Sequence, residues 1–589
     1  MGRSSENCPP GGSICHHCRS VCINSEIFAC GCTVTVALAP LENPLYYLAN
    51  FQRVLHWLQQ RYADLLDAEE QRFIDCFNAL PQPGQALLVR MIMRKGERFR
   101  ASKLSYPEIG CPRQAAALLL EQGLVDDQAP LELQHLFELL LKAELVALFR
   151  DHGVQASARK ADLLHQLSEL SLPARPFADW CPALDEQVYS LKVQAVCDRL
   201  RLLFFGNLHQ DWTEFMLADL GVYRYEQVPF DSTSRALRDR QDVLACLAVH
   251  RCAEGMEAGE PAPALLAELS AVHSNNPWVL RRRERLLFHL GHNCERQQDW
   301  PQALAIYQQC RYPGARARAI RVLELSGEFA QALALAEQAL LAPESAAEAQ
   351  QLPRMLPRLR RALGMPAQAR AARASVARLD LQIARCEQPL SVERRVLLHL
   401  HVEDGPVHYV ENSLFNSLFG LLCWPAIFAA LPGAFFHPFQ TGPADLLQTD
   451  FRERRAELFR ACLGRLDDGT YQAAIRECYQ SKWGLQSPFV HWGAMNEELL
   501  ELALHCLPAE HLKHCFERLL EDIKANRAGM PDLIQFWPAE RRYRMIEVKG
   551  PGDRLQDNQL RWLDFCARHA MPVEVCYVQW QEHEQEHMA

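Results

Sequence analysis

Apolar residues recur at helical spacing over much of this chain. Residues 45–66 (LYYLANFQRVLHWLQQRYADLL) and 116–125 (AALLLEQGLV) gather their large side chains on one stripe, which predicts a mostly helical stretch from Pro44 to about Leu290. Residues 139–170 (LLLKAELVALFRDHGVQASARKADLLHQLSEL) read as two short amphipathic helices joined by a Gly-containing turn, with Arg159 and Lys160 opening the second. DWPQALAIYQQC (299–310) and EFAQALALAEQA (328–339) superimpose with an offset of 29, so this part of the chain repeats itself as helices. After ARCEQPLSVERR the texture turns strand-like and aromatic, and a boundary is expected near residue 390.

Near the end, DLIQF (532–536) and YRMIEV (543–548) are short runs rich in β-branched and aromatic residues, separated by WPAERR, and they predict a hairpin. Asp532 opens its first strand and Glu547 closes its second, so antiparallel pairing brings two carboxylates to one end of the sheet. Lys549, two positions on, projects on the same side as Glu547. Close carboxylates repel unless one is protonated or a cation lies between them, and hard oxygen ligands select Mg²⁺ or Mn²⁺. Such an ion polarises a phosphodiester while a neighbouring ammonium offsets developing charge, which points to metal-dependent hydrolysis of nucleic acid. Without a metal, the same residues form an ordinary salt-bridged surface hairpin.

Composition adds limits. With 589 residues and 49% hydrophobic composition the chain can build several packed domains. No apolar run of about 18 residues occurs and no signal-peptide pattern opens the chain, so neither a membrane span nor export is expected. Most of the 22 cysteines sit in apolar helical stretches, as small buried hydrophobes of a reducing compartment. The exception is the beginning: six cysteines fall within residues 1–32, with ligand-like spacing at Cys15 and Cys18 but no well-spaced second pair. A disordered Cys-rich leader is expected there in preference to a zinc site. The net charge of −10 excludes a uniformly basic coat but leaves room for local basic patches. Candidates are 87–110, RMLPRLRRALG (354–364) and RRRER (281–285), with Arg281, Arg282 and Arg283 as candidate DNA contacts; a solvated helix face is the plainer reading of each.

Several of these segments resemble known families. Residues 139–170 resemble a SAP motif, which implies backbone contacts to DNA from Arg159 and Lys160, against the plainer reading of a helical hairpin. The 29-residue repeat, with small Ala303, Ala332 and Ala336 among larger Leu304, Tyr307 and Leu333, resembles tetratricopeptide arrays. GMPDL followed by IEVKGPGDRLQDNQLRWLDF resembles the PD-(D/E)xK nucleases of the VRR-Nuc type, and in particular the Fanconi-associated nuclease family. VENSLFNSLFGLLCWPAIF (410–428), KLSYPEI (103–109) and DWTEFMLADLGVYRYE (211–226) extend that resemblance over about 45 to 585.

The resemblance implies a structure-specific nuclease of bacterial source, acting on 5′ flaps and, as a 5′ to 3′ exonuclease, through interstrand crosslinks. It implies Asp532, Glu547, the Val548 carbonyl and Glu411 as ligands of Mg²⁺ or Mn²⁺, two ions in all, and Lys549 at the attacking water. Gln559, on the helix after the Gly-Pro loop, can point toward the site. Glu411 has a plainer role too, as an acidic residue suited to the start of a helix. Branched or flap duplex DNA is the expected partner, for a monomer or weak dimer acting in the cytoplasm if bacterial and in the nucleus if eukaryotic. A Holliday-junction resolvase and a non-catalytic repair scaffold are the alternatives. The expected organisation is multidomain and mostly α with a C-terminal α/β nuclease domain of mixed sheet flanked by helices: leader 1–40, helical DNA-binding region 41–135, SAP-like motif 136–175, helical link 176–290, tetratricopeptide-like repeats 291–390 and nuclease domain 391–589.

Overall fold

The computed structural model describes residues 43–214, 223–366, 376–384 and 390–581, so the Cys-rich leader lies outside the described residues. Helices Tyr46–Tyr62, Ala68–Ala79 and Gln82–Ile92 bury the first apolar stripe, with Phe51, Leu55, Leu58 and Tyr62 inside. Asp67 caps the second helix by accepting from the Glu69 and Glu70 amides, and Glu70 accepts in return from the Asp67 amide.

A small antiparallel sheet completes this region, with β1 (Arg98–Arg100) and β2 (Val125–Asp126) on either side of β3 (Val188–Leu191). Between β2 and β3 the helices Leu133–Leu139, Lys142–Leu148 and Lys160–Ser168 enclose a core of their own around Leu136, Phe137, Leu145, Leu163 and Trp180. The stretch 176–290, expected to be a helical link, thus contains a strand of the N-terminal sheet. At four residues β3 is too short for its alternation to stand out from helical surroundings.

Helices Pro277–Arg296, Trp300–Gln309, Ala315–Leu325, Phe329–Leu341 and Ala346–Ala362 pack each on the next. The repeated positions Ala303, Tyr307, Ala332, Leu333 and Ala336 are all buried, where small side chains let neighbouring helices approach.

The last region is a mixed five-stranded sheet of β4 (Ala377–Ala384), β5 (Val407–Tyr409), β6 (Leu533–Trp537), β7 (Arg542–Lys549) and β8 (Val573–Gln581), in the order β4-β8-β7-β6-β5. β8 runs parallel to both β4 and β7, whereas β6 is antiparallel to β7 and β5. β4 precedes the boundary expected near 390, so the C-terminal sheet reaches back past it; as an edge strand with largely exposed side chains, β4 lacks a buried-strand pattern. The strand-like stretch after 390 is mainly helical, in Val392–Leu400 and Leu414–Leu422, with only β5 extended. A helix buried on every side, as Leu414–Leu422 is, loses the polar face that distinguishes it from a strand.

Helix Val392–Leu400 covers one sheet face through Val396 and Leu397, over Leu533, Ile546, Val548 and Cys576. The other face, with Ile534, Phe536, Tyr543 and Met545, packs under helices Leu414–Leu422, Ala509–Glu521 and Asp557–Arg568. The repeat helices dock on this region through Arg354, which makes two hydrogen bonds of 2.6 and 2.7 Å to Asp557, and through Gln350, which accepts from Arg561. The arginines of 354–364 are therefore largely committed to surface ion pairs within the chain, since Arg358 pairs with Glu324 and Arg360 with Glu337.

Candidate active site

The hairpin register aligns Leu533 with Ile546, which sets Asp532 across from Glu547 at the next pair. Alternation puts Asp532, Glu547 and Lys549 on the same sheet face as Ile534, Phe536, Tyr543 and Met545, under the helical layer. All three are buried: Asp532 is 7%, Glu547 0% and Lys549 8% exposed.

Their contacts are those of a charge cluster closed upon itself. One Asp532 oxygen, Oδ2, accepts the Val548 amide at 2.8 Å, and Lys549 Nζ donates to Glu547 Oε1 at 2.6 Å. Glu547 Oε2 is buried without a hydrogen-bond partner. Burial raises the Asp532 carboxyl to about 6, with Glu411 and Glu393 adding to the rise, against the Val548 amide and Lys549. Burial, then Asp532, raises the Glu547 carboxyl to about 8 against the opposing pull of Lys549.

Glu411 comes from more than a hundred positions away, and the residue that seats it is Asn412. The Asn412 amide oxygen accepts the backbone N–H groups of Gly529 and Met530 at 2.8 and 3.2 Å, while its nitrogen donates to Glu411 Oε1 at 3.2 Å. The Val410 amide donates to the Asp532 carbonyl at 2.8 Å, and Asn416 donates to the Arg527 carbonyl at 2.8 Å. These bonds tie the loop before helix Leu414–Leu422 to the loop before β6. Gly529 is required there: its φ is +94°, and a Cβ would stand 2.7 Å from the Asn558 backbone. Glu411 itself is exposed and precedes the helix, and its Oε2 accepts a hydrogen bond from the Tyr409 hydroxyl.

These donors suit a hard divalent cation. The orphaned Glu547 oxygen is a buried anionic acceptor with no protein donor, a role that a hard divalent cation fits. Beyond Ile546, β7 has no β6 residue beside it, and an extended residue's N–H and C=O leave the same edge. The Val548 carbonyl is thereby directed to the side where its amide meets Asp532. Among the described residues no three His, Cys, Asp or Glu side chains stand ready-gathered as a ligand shell. Lys549 and Tyr409 hold two of the three carboxylates instead.

The other sequence candidates fall elsewhere. Gln559 Oε1 accepts the Gln556 amide at 2.8 Å and caps its own helix, while Trp562, Leu563 and Cys566 pack inward. Lys160 Nζ donates to the Leu140 carbonyl at 2.8 Å, at the C-terminal end of helix Leu133–Leu139, whereas Arg159 is exposed. The three consecutive arginines are drawn into the fold: Arg281 pairs with Asp450 at 2.7 Å, Arg282 donates to the Gly206 carbonyl and lies over the Trp278 ring, and Arg283 pairs with Glu284. As placed, they form no free track for phosphates. Tyr409, Asn412, Asn416 and the half-buried Glu393 were missed in the sequence. The available signal was two asparagines in an otherwise apolar helix-forming run.

Comparison with known proteins matches residues 466–580 to the VRR-NUC domain family, 45–126 to the FAN1, HTH domain, and 130–180 to the Fanconi anemia-associated nuclease SAP domain. The Fanconi-associated nuclease 1 homolog of Pseudomonas aeruginosa is 59% identical over 540 residues, covering 92% of this chain and 97% of that protein. The Oryza sativa homolog is 25% identical over 616 residues, covering 90% of this chain and 62% of the longer plant protein. A crystal structure of paFAN1 bound to 2nt 5′ flap DNA with a gap superimposes with a TM-score of 0.85 at 58% identity, over 93% of this chain and all of that one. With near-complete coverage at that identity, this chain belongs to the Fanconi-associated nuclease family, as a bacterial member.

Proposed function

We propose that the chain is a metal-dependent, structure-specific DNA nuclease that hydrolyses phosphodiester bonds at 5′ flaps and exonucleolytically in the 5′ to 3′ direction, in the repair of interstrand crosslinks. The carrying observation is Asp532 opposite Glu547 at the open end of the hairpin, with one buried Glu547 oxygen unpartnered and Lys549 alongside. The 58% identity to a protein crystallised on 5′ flap DNA supports the choice of substrate. It would be a hydrolase of the phosphodiesterase I type, working as a monomer or weak dimer on DNA in the cytoplasm. No helix among the described residues is long and apolar enough to cross a membrane.

Asp532, Glu547, the Val548 carbonyl and Glu411 would hold Mg²⁺ or Mn²⁺, two ions in all, with Glu411 a ligand of the first or the second. When bound, the ions supply Lewis-acid polarisation of the phosphodiester and offset its charge. Asp532 stays oriented because the Val548 amide fixes one of its oxygens. Lys549, whose ammonium lies beside Glu547, would orient the attacking water and offset the charge that builds on phosphorus-bound oxygen. The buried setting of all three side chains strengthens each of these interactions.

The N-terminal helical region, the SAP-like hairpin with Arg159 at its exposed corner, and the tetratricopeptide-like stack would hold the duplex arms. Arg281, Arg282 and Arg283 serve that body through their internal partners. The test is cleavage of end-labelled 5′-flap, 3′-flap, four-way and linear duplex DNA, with and without divalent cation, by wild type and Asp532→Ala. Cation-dependent cutting that favours the 5′ flap and disappears in the variant is expected. Equal cutting of all substrates, or activity retained in the folded variant, would overturn the reading.

A further inference from the structure

A second feature lies on the flank of the nuclease region. Residues 223–227 (YRYEQ) run alongside 482–486, with Arg224 bridged in parallel to Leu485 and its carbonyl accepting the Gln486 amide at 2.7 Å. Glu226 fastens the segment, accepting from Trp424 Nε1 at 2.9 Å and from Lys482 Nζ at 2.9 Å. Val228 enters the nuclease core just beyond. The strip is thus held by its backbone and by Glu226, and Tyr223 stands exposed on it.

What it leaves open is a cavity of about 500 Å³ lined by Tyr223, Arg224, Tyr225, Pro438, Phe439 and Lys482. Tyr225 meets Phe439 edge-on at 6.1 Å, and Tyr223 is 39% exposed. Arg224 is exposed at the rim. Lys482 is paired with Glu226, so it adds no free charge, and Arg224 is the group suited to a phosphate. Next to this wall Trp483 is 48% exposed and rests edge-on against Tyr479 at 5.0 Å and Trp492 at 5.1 Å. Aromatic faces beside an arginine are the chemistry by which proteins hold unstacked bases of a single strand: the rings stack the base and the cation meets its backbone.

The cavity also stands in a useful place. Trp424, which bonds Glu226, follows helix Leu414–Leu422, and Glu411 precedes it; nine helical residues rise about 14 Å. The cavity and the carboxylate cluster are therefore at opposite ends of one short helix.

We propose that this cavity is a binding site for an unstacked nucleotide of single-stranded DNA, the flap strand, held by Tyr223 and Tyr225 with Arg224 on its phosphate. This deepens the flap-DNA reading above and rests on it for the class of ligand. It is tested with the full chain in EDTA, where no cleavage occurs, so that its outcome does not depend on the nuclease chemistry. Wild type, the exposed-residue variant Tyr223→Ala/Arg224→Ala, and the conservative Tyr223→Phe are titrated with gapped duplex bearing a 5′ flap of thymidines and with the same duplex lacking the flap. The expected result is a loss of about tenfold in affinity for the flapped duplex only, as removal of one stacking partner predicts, with Tyr223→Phe close to wild type. In parallel, 5-iodouracil placed in the flap should crosslink to Tyr223, Tyr225 or Phe439, and free thymidine monophosphate should not abolish the crosslink. Equal loss on both duplexes, no loss on either, or crosslinks confined to other residues would overturn the proposal. Crosslinking abolished by the free nucleotide would reassign the cavity to mononucleotides and overturn it as well. Flap binding here by a chain that fails to cut in Mg²⁺ would sink the nuclease reading and leave this site standing.

Discussion

Replacing Asp532 by Asn is expected to stabilise the protein when it lacks metal and to remove most of the stabilisation that metal confers. Asp532 is 7% exposed, and its carboxyl is raised from 3.8 to about 6. A raised carboxyl binds its proton more tightly in the folded chain than in the unfolded one. Its contribution to stability is therefore complete below the unfolded value and is lost as pH climbs from near 4 to about 6. Above that window the ionised group costs the fold about 3 kcal/mol, from roughly two units at about 1.4 kcal/mol each. Asn keeps the shape, can still accept the Val548 amide, and carries no charge. It also relieves Glu547, whose rise owes its second-largest part to Asp532. Thermal unfolding in EDTA, followed from about pH 5 to about pH 8, should show a variant advantage that grows to several degrees and then levels off. With Mg²⁺ well above its dissociation constant most of the variant's advantage should disappear, because wild type alone gains the full binding term, about 2.7 kcal/mol at hundredfold excess. A lower melting temperature for Asp532→Asn in EDTA at pH 8, or equal Mg²⁺ shifts in both proteins, would refute the assignment of a strained ligand cluster.

Lys549→Ala should slow single-turnover cleavage by on the order of 10² or more while Mn²⁺ binding stays unchanged or tightens, because Glu547 loses a competitor for its oxygen and the reaction loses a cation; lost ion affinity with unchanged chemistry would contradict this. Glu411→Gln should depress cleavage at low Mg²⁺ and recover in part at high Mg²⁺, and superimposable metal curves would remove Glu411 from the site. Tyr409→Phe, which deletes the hydroxyl held on Glu411, should raise the Mg²⁺ needed for half-maximal activity and for half-maximal thermal shift by roughly tenfold; unaltered values in both would make the contact incidental. Reversing the charge of Arg159 should weaken binding of all duplex substrates alike and flatten the salt dependence by about one ion, whereas an unaltered salt slope would assign the SAP-like hairpin no phosphate contact through that residue.

The parts of this site visible in the sequence are those whose geometry is settled within a few residues. A hairpin fixes which side chains face each other, so Asp532, Glu547 and Lys549 could be placed together from two short alternating runs and the turn between them. The strand β3 and the edge strand β4 were not visible, because each owes its form to partners far along the chain. Charge runs misled for a related reason. RRRER carries no sign that Arg282 will meet a carbonyl at Gly206 or Arg281 a carboxylate at Asp450.

Glu411 shows where the two kinds of information divide. Its position beside the hairpin depends on Asn412, whose left-handed backbone at φ 51° turns the chain and whose amide accepts from Gly529 and Met530. Those donors face Asn412 only because Gly529, at φ +94°, lets the loop pass against the Asn558 backbone. The glycine of GMPD and the asparagine of VENS thus form one joint, although 116 residues separate them and neither is itself charged. That joint places Glu411 as much as the glutamate's own position in the sequence does: an uncharged pair, closed by backbone hydrogen bonds, fixes the loop that carries it against the loop that leads into Asp532.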